Sequence, residues 1–481
     1  MVAIPLTSGA YSARSVIANA QRCANLVPEQ NPQDTKPPVP VTHYPRPGKR
    51  LLAIPPNLGP GRGLYRATNG DLYATVDDIV YYISPTYVFT AVGNIGHGSS
   101  IISMADNGQD IGDQIVVVNG SANGWVITMS TRDFNPINDM TGTFVGSNRV
   151  DYLQSYFLFN APGTPYWYIS LPNSVDFNAL DVASKSSYAD SIQTLGVRQR
   201  EVWLIGQLST EPWYLSGAPD FPFEAIASTF VPYGCIAIYS MCSIDISLFW
   251  LSQDLKGQGI VVKSDGYNAK RISTYAIEAE FQTYGDISDA VAGTFQKDGH
   301  TFYVLSFPTA DKTWVYDLAT EQWSEWTWVD NEGNEHRDRC PFYAHAYNKV
   351  IGQDWETGLL YEISSDVYTD NGDSIFCRRG FPHVMDELDR VTHWAAVVDI
   401  QCGTTTDNDA DPQVNLRYSD DRGQTWSDPM MASMGKIGQY YVSPQFQRLG
   451  MARDRVYEVF WTENVKTALN GIYIDVEKAD S

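Results

Sequence analysis

From Leu51 onward one short-range pattern recurs: a run of aromatic and β-branched residues, then a turn pair that suits a tight hairpin. Gly63 to Ile83 reads GLYRATNGDLYATVDDIVYYI; its Asn69-Gly70 pair predicts a two-residue turn between two strands, and Asp77-Asp78 opens a third. Ile115 to Thr128 reads IVVVNGSANGWVIT, punctuated by two Asn-Gly pairs, and Ser155 to Ile169, Glu201 to Ile205, Ile236 to Leu251 and Gly259 to Lys263 supply further strands. A chain built from such units has no long helical period to bury, so the pattern confines it to an all-β fold.

Composition agrees. Aromatic residues make up 13% of the 481 residues, with 29 Tyr and 13 Trp, and such side chains suit a pleated, half-buried surface. In Lys297 to Trp326 an Asp298-Gly299 turn leads into a strand, a second strand at Trp314 to Asp317 follows, and a turn then precedes Trp323, as in the outer hairpin of a kelch-type propeller blade. Tyr343 to Ile363 repeats that logic around Asp354, Trp355 and Gly358. At ~40–50 residues per blade, Leu51 to about residue 375 accommodates six or seven blades of a β-propeller. Residues 376–481 read as a small C-terminal β-sandwich domain, with strands at Trp394 to Gln401, Val414 to Tyr418 and Val456 to Thr462. Residues 1–50 read as an N-terminal arm: a short helix over Tyr11 to Ala24 capped by Ser12, then a proline-rich, extended stretch from Pro28 to Pro47. Such an arm straps the chain's own surface or packs on a neighbouring subunit; for the second role Tyr11, Arg14, Arg22, Pro28 and Pro47 are the candidate contacts.

Asp and Glu total 56 against 33 Lys and Arg, a net charge of −23, which disfavours sequence-independent binding to nucleic acid. The basic clusters Arg46 to Arg50 and Arg378–Arg379 are expected to be solvated or paired with nearby carboxylates. The six cysteines form no C-x-x-C pair; Cys235 and Cys242 lie in an apolar run and read as buried thiols, a pattern that fits folding in a reducing cytoplasm. Met1 to Ala10 lack the cationic start and apolar stretch of a secretory leader, and Cys235 to Leu251 is too broken by Asp245 and serines to span a membrane, so no membrane association is expected.

Ser419 to Trp426, SDDRGQTW, matches the Asp-box hairpin S-x-D-x-G-x-T-W at Ser419, Asp421, Gly423, Thr425 and Trp426. The motif is a folding device: the aspartate takes up backbone donors of the turn, the glycine permits its geometry and the tryptophan packs beneath it. Asp407, Asp409 and Asp411 begin like a calcium loop but lack the glycine and terminal glutamate, and read as a solvated acidic loop, as do Asp366, Asp370 and Asp373. None of the seven histidines is spaced for a helical metal site, and neither a nucleophile elbow nor a phosphate-cradling loop is present. Trp323, Trp326 and Trp328 suit a blade core better than a sugar-stacking platform. No catalytic residue, metal or cofactor is expected.

Four segments in order carry a family resemblance: QRCANLVPE at Gln21 to Glu29, the Pro-Gly step within Pro45 to Leu52, GRGLYRATNGDLYATVDDIVYY at Gly61 to Tyr82, and LRYSDDRGQTW at Leu416 to Trp426. In these the chain resembles the tail hub, nozzle or packaged-DNA stabilisation proteins of short-tailed phages. The resemblance implies a β-propeller with a small C-terminal β domain, arranged as a hexameric homo-oligomer below the portal and its adaptor protein. It further implies a virion tail location after assembly in the host cytoplasm, contacts with a tailspike or tail fibre and a tail needle or plug, and genomic DNA passing through the channel without sequence-specific binding. Two other function classes remain open to such a fold. A propeller glycosidase of sialidase type needs an arginine cluster facing a Tyr/Glu pair at the propeller centre, and a receptor-binding tail adhesin normally shows elongated repeats or trimeric coiled segments; an isolated carbohydrate-binding module is a third use.

Overall fold

The computed structural model describes residues 1–478 except 5, 7–8, 33–38, 186–187, 189, 228 and 255. Six consecutive four-stranded antiparallel meanders span 61–94, 103–136, 150–184, 192–225, 242–271 and 291–325, and a seventh is built on 342–364. Their first strands stand side by side around an axis, and the ring closes where the first strand of the seventh blade, Phe342–Ala346, packs against that of the first, Gly61–Arg66. The protein is therefore a seven-bladed propeller, the upper of the two expected counts. The Asn69-Gly70 turn lies where the sequence places it, with Gly70 at φ +93° between strands Gly61–Arg66 and Leu72–Val76.

The seventh blade has three strands of its own. Its fourth, Gly48–Ala53, comes from the N-terminal side and pairs antiparallel with Leu360–Ser364. This closure spares the ring an open edge, because the two ends of the propeller segment become one sheet. It also places Gly48–Lys49–Arg50 inside the propeller rather than in the arm that the sequence suggested.

The remaining N-terminal residues are strands too. The helix expected over Tyr11 to Ala24 is absent: Tyr11–Ser12 pairs with Ala20–Gln21, and Cys23–Ala24 inserts between Gln322–Glu325 of the sixth blade and Cys377–Gly380. Two ready-made sheet edges offer this segment more hydrogen bonds and burial than an isolated helical turn, so tertiary context overrides local propensity. Leu26–Gln30 and Val41–Pro45 form a hairpin in the sandwich; residues 33–38 of the proline-rich stretch lie outside the described residues.

The sandwich has two sheets. One runs Gln445–Ala452, Val391–Ile400, Leu469–Lys478, Val41–Pro45, Leu26–Gln30, with Val2–Ile4 added on Leu469–Lys478. The other runs Cys23–Ala24, Cys377–Gly380, Asp454–Trp461, Gln413–Ser419, Met430–Ser433 and continues without a break into the sixth blade. One apolar core accordingly reaches from Phe249 and Tyr303 in the blades, through Trp323, Cys23 and Leu26, to Val398, Val459 and Trp461 in the sandwich. The α-helix among the described residues, Tyr275–Phe281, links the fifth and sixth blades; it is capped by Thr274 and seats Ile277 and Phe281 in this core. No helix among the described residues is long and apolar enough to cross a membrane.

The closing strand is tightly seated. A Cβ at Gly48 would lie 2.2 Å from the Val367 carbonyl oxygen and 2.7 Å from that of Thr369, both backbone atoms that cannot swing aside. Gly48→Ala should lower the stability of the full chain by about 1–3 kcal/mol, the usual cost of overpacking. Gly285→Ala, with open space around it, should leave the thermal midpoint unchanged; equal midpoints for the two variants would show that the closing strand is not under this constraint.

Candidate assembly site at the junction of propeller and sandwich

Where the closing strand enters the propeller, four charged side chains are buried together. Arg46 and Asp338 are wholly inaccessible at their side chains, Lys49 and Asp370 nearly so. Arg46 Nη1 donates to Asp370 Oδ1 at 3.0 Å and its Nη2 to the Thr327 carbonyl at 3.0 Å; Lys49 Nζ donates to Asp338 Oδ2 at 2.7 Å and Asp370 Oδ1 at 3.1 Å. The remaining Arg46 donor, Nε, reaches Asn25 Oδ1 at 2.8 Å, and the guanidinium lies 5.7 Å from the Trp326 ring centroid. Burial alone would push the Asp370 carboxyl up, but the two cations outweigh it and hold the group well below the usual carboxylate range.

Asn25 is the hub of these contacts. It sits at φ +57°, a left-handed conformation that asparagine tolerates. Its amide nitrogen donates to Thr327 Oγ1 and the Phe376 carbonyl, both at 2.9 Å, while Oδ1 accepts from Arg46 and from the Thr327 amide. One side chain thus joins the N-terminal segment, the strand after the sixth blade and the first strand of the C-terminal sheet.

A second array crosses the same junction nearer the surface. Lys312 and Arg22 share Glu325, at 3.3 and 2.8 Å; Arg22 also reaches Glu335, which receives Arg378 at 3.2 Å. Arg378 and Arg417 meet on Glu458. Glu325 is buried, which raises its pKa, yet Arg22 and Lys312 leave it lowered overall. The signs alternate from the sixth blade across the N-terminal segment into the sandwich.

The comparisons with known proteins divide the chain at this junction. Residues 3–368 match the family model described as Bacteriophage P22 Gp10, beta-propeller, and residues 379–477 match Bacteriophage P22 Gp10, beta-sandwich. The chain belongs to the bacteriophage P22 Gp10 family. This Gp10-family chain is thus a structural component of a phage tail, assembled with other tail proteins. No curated protein matches it in sequence. Among solved structures, the N-terminal domain of Nup159 is 9% identical with a TM-score of 0.40, covering 71% of this chain and 98% of that one. The WD40 β-propeller domain of Doa1 is 10% identical with a TM-score of 0.41, covering 66% and 97%.

Within this Gp10-family fold the candidate arm residues part company. Arg22 belongs to the charge array, and Pro28 and Pro47 are buried in the chain's own sheets and junction. Tyr11 and Arg14 stay at the surface. The acidic trio splits likewise: Asp366 and Asp373 are exposed as expected, whereas Asp370 is the buried partner of Arg46 and Lys49, a correction to the solvated reading. Arg46 and Lys49 sit 324 and 321 positions before Asp370, too far apart for any spacing rule to connect. Trp323 and Trp326 are buried in blade cores, and Trp328 lies half-buried under Arg339.

The Asp-box turn is formed by Asp421 Oδ1, which accepts from the Gln424 and Thr425 amides at 3.0 and 2.8 Å, and by Ser419 Oγ, which accepts from the Gly423 amide at 2.7 Å. The Thr425 hydroxyl and amide lead the groups that pull the Asp421 carboxyl down to about 2. A Cβ at Gly423 would come 3.2 Å from that of Ala20, so this turn abuts the N-terminal hairpin, and Trp426 receives Arg417 at 4.7 Å. On the propeller axis, a cavity of about 450 Å³ is lined by Arg149, Asp151, Tyr65, Tyr239 and Tyr343 among others. It holds one arginine and no glutamate among its lining residues, where a sialidase-type centre requires an arginine cluster facing a Tyr/Glu pair.

Asp370→Asn should cost roughly 3–5 kcal/mol in denaturant unfolding, because it leaves Arg46 and Lys49 short of a buried countercharge. The pH dependence follows from the lowered pKa. Asp370 contributes its stability in full above the unfolded value of about 3.9 and loses it as pH falls toward the folded value. The wild-type chain should therefore lose stability more steeply than the variant below about pH 4; parallel acid limbs would show that the cluster carries no such weight.

Proposed function

We propose that this chain is the hub or nozzle of a short-tailed phage tail, six copies forming a ring that extends the DNA channel below portal and adaptor, retains the packaged genome and anchors spikes, fibres or a needle. One observation carries the reading: a family match over both domains, on a chain whose two domains share one core and one continuous sheet. A component that transmits load between a capsid and its receptor-binding parts must not hinge, and a shared core with buried ion pairs resists hinging in a way that a linker does not. A ring of identical subunits also needs two different complementary faces, which a rigid two-domain body offers. The net charge of −23 is compatible with a conduit that lets DNA slide instead of adhering. Assembly in the host cytoplasm is consistent with six free cysteines, five of them buried.

Quantitative mass spectrometry of purified particles tests the reading. The expected copy number is half that of the portal protein, with the chain located as a ring between adaptor and distal components by electron microscopy. Absence from particles, or the three-copy stoichiometry of a fibre, would remove the hub from consideration.

A further inference from the structure

Two histidines sit where segments of the propeller–sandwich junction meet the sixth blade, one at each end of its strand Lys312–Asp317. His300 opens the neighbouring strand His300–Phe307 and turns Nδ1 to Asp317 Oδ2 at 2.8 Å. Asp317 is buried and accepts on both oxygens, from the Ala319 amide at 3.0 Å and the Thr320 hydroxyl at 2.8 Å, so the nitrogen that faces it carries the proton. That leaves Nε2 as the atom that gains or loses a charge, and it lies 3.9 Å from Glu29 Oε2 on the sandwich hairpin. Protonated, Nε2 attracts this carboxylate across the domain boundary; neutral, it turns a lone pair toward it.

His336 is held at the other end. It belongs to the hairpin of Thr327–Val329 and Glu335–Arg337, whose Glu335 receives Arg22 and Arg378. Its Nδ1 lies 2.7 Å from Asp311 Oδ2, in the turn before Lys312–Asp317, and its Nε2 lies 3.2 Å from Asp330 Oδ2 in the hairpin's own turn. Both carboxylates also take backbone donors: Asp311 accepts from the Arg337 amide at 3.0 Å, and Asp330 from the Glu332 and Asn334 amides at 2.9 and 2.8 Å. A neutral imidazole donates through one nitrogen; only the imidazolium donates to both carboxylates. Once the proton leaves, one of the two bonds becomes a contact between lone pairs, and Asp311 and Asp330 keep no positive charge between them.

The other charged groups around each ring are engaged elsewhere or act in the same direction. Beside His300, Asp298 adds negative potential and lies 3.9 Å from Lys297, while Asp366, Lys466 and the phenols of Tyr44 and Tyr368 line the adjoining cavity of about 250 Å³. Beside His336, Arg337 stacks on Trp355, Arg339 binds Asp354, Lys312 binds Glu325, and Asp373 accepts from Trp328, whose ring is 5.5 Å from that of His336. We propose that His300 and His336 form a proton-operated clasp, which closes the propeller–sandwich junction on the sixth blade when both rings are charged and eases it when they are neutral. The bond to Asp317 raises the His300 pKa above that of a free histidine, against burial, and the bonds to Asp311 and then Asp330 raise that of His336. With the folded values above the unfolded one, the contribution to stability is complete below about pH 6.5 and is lost as pH rises through the folded values.

The test uses the full-length chain from about pH 5.5 to 9, a range in which ordinary carboxylates stay ionised. The thermal midpoint of the wild type should exceed those of His300→Gln and His336→Gln at the acid end, and both gaps should close at the alkaline end, where a neutral ring and a neutral amide are alike. Hydrogen exchange, corrected for its intrinsic pH dependence, should show the amides of Leu26–Gln30 and of residues 327–337 losing protection at the alkaline end ahead of Leu72–Val76 in the first blade. Glu29→Gln removes one leg of the clasp without touching either ring; it should make protection of Leu26–Gln30 independent of pH and leave the alkaline loss at 327–337 intact. Midpoint gaps that stay constant with pH, an unaltered pH dependence at Leu26–Gln30 in Glu29→Gln, or a loss of protection spread evenly over all blades would each overturn the clasp.

Discussion

The structure turns on a buried exchange of charge between Arg46, Lys49, Asp338 and Asp370. Removing four ions from water is unfavourable, and only good geometry restores the loss. That geometry is available here because the Asn25 side chain fixes the Arg46 guanidinium from one side while Asp370 and the Thr327 carbonyl hold it from the other. Lys49 is on the closing strand of the propeller, and Asp370 pairs with it in the backbone register as well as through the side chain. The register that closes the ring is thus also the one that brings these groups together; a one-residue slip would carry Lys49 to the opposite face of the strand and leave Arg46 as the one cation against two buried carboxylates.

This arrangement couples the two domains more tightly than their separate family descriptions suggest. The sandwich draws strands from both ends of the chain: Val2–Ile4, Leu26–Gln30 and Val41–Pro45 from one, and Val391–Ile400, Asp454–Trp461 and Leu469–Lys478 from the other. It cannot be completed until the propeller between them exists. The propeller in turn needs Gly48–Ala53, a strand that follows directly in the chain on the sandwich strand Val41–Pro45. Contacts spanning more than three hundred residues, such as Arg46 to Asp370, impose a heavy loop-closure cost before they give anything back, so the two domains are expected to form late and together.

Much of this architecture is legible in the sequence, and the illegible part has a common cause. Hairpins announce themselves locally: Asn69-Gly70 and Asp298-Gly299 define their strands because the turn chemistry is contained in two residues. The strands at Val391–Ile400 and Asp454–Trp461 are equally plain. What fails is the N-terminal segment. YSARSVIANAQRCA satisfies a helical reading with a cap, and nothing nearby reveals that Cys23–Ala24 fills a gap between Glu325 and Arg378. The converse miss, the Tyr275–Phe281 helix, has a cap of its own in Thr274 but only seven residues, too few for a periodic signal. Asp370 reads as a loop acid because its partners lie at the other end of the chain. The acidic loop Asp407–Asp411 is visible in the sequence, whereas its attachment to the loop after Met430–Ser433 depends on the backbone bonds of Gly403 and Met434.

The distribution of cations gives the overall charge a meaning that composition alone lacks. Arg46, Lys49, Lys185 and Arg455 are buried or nearly so, and each is matched by a carboxylate. Among the described residues eleven Asp and Glu are buried against six Lys and Arg, so burial withdraws the two signs in about the proportion of the whole sequence and leaves an excess of acid outside. For a body proposed to line a DNA conduit, pairing and composition act separately: the junction arginines lock the domains through buried carboxylates, and the excess of acid over base that remains in water disfavours adhesion of a passing phosphate backbone.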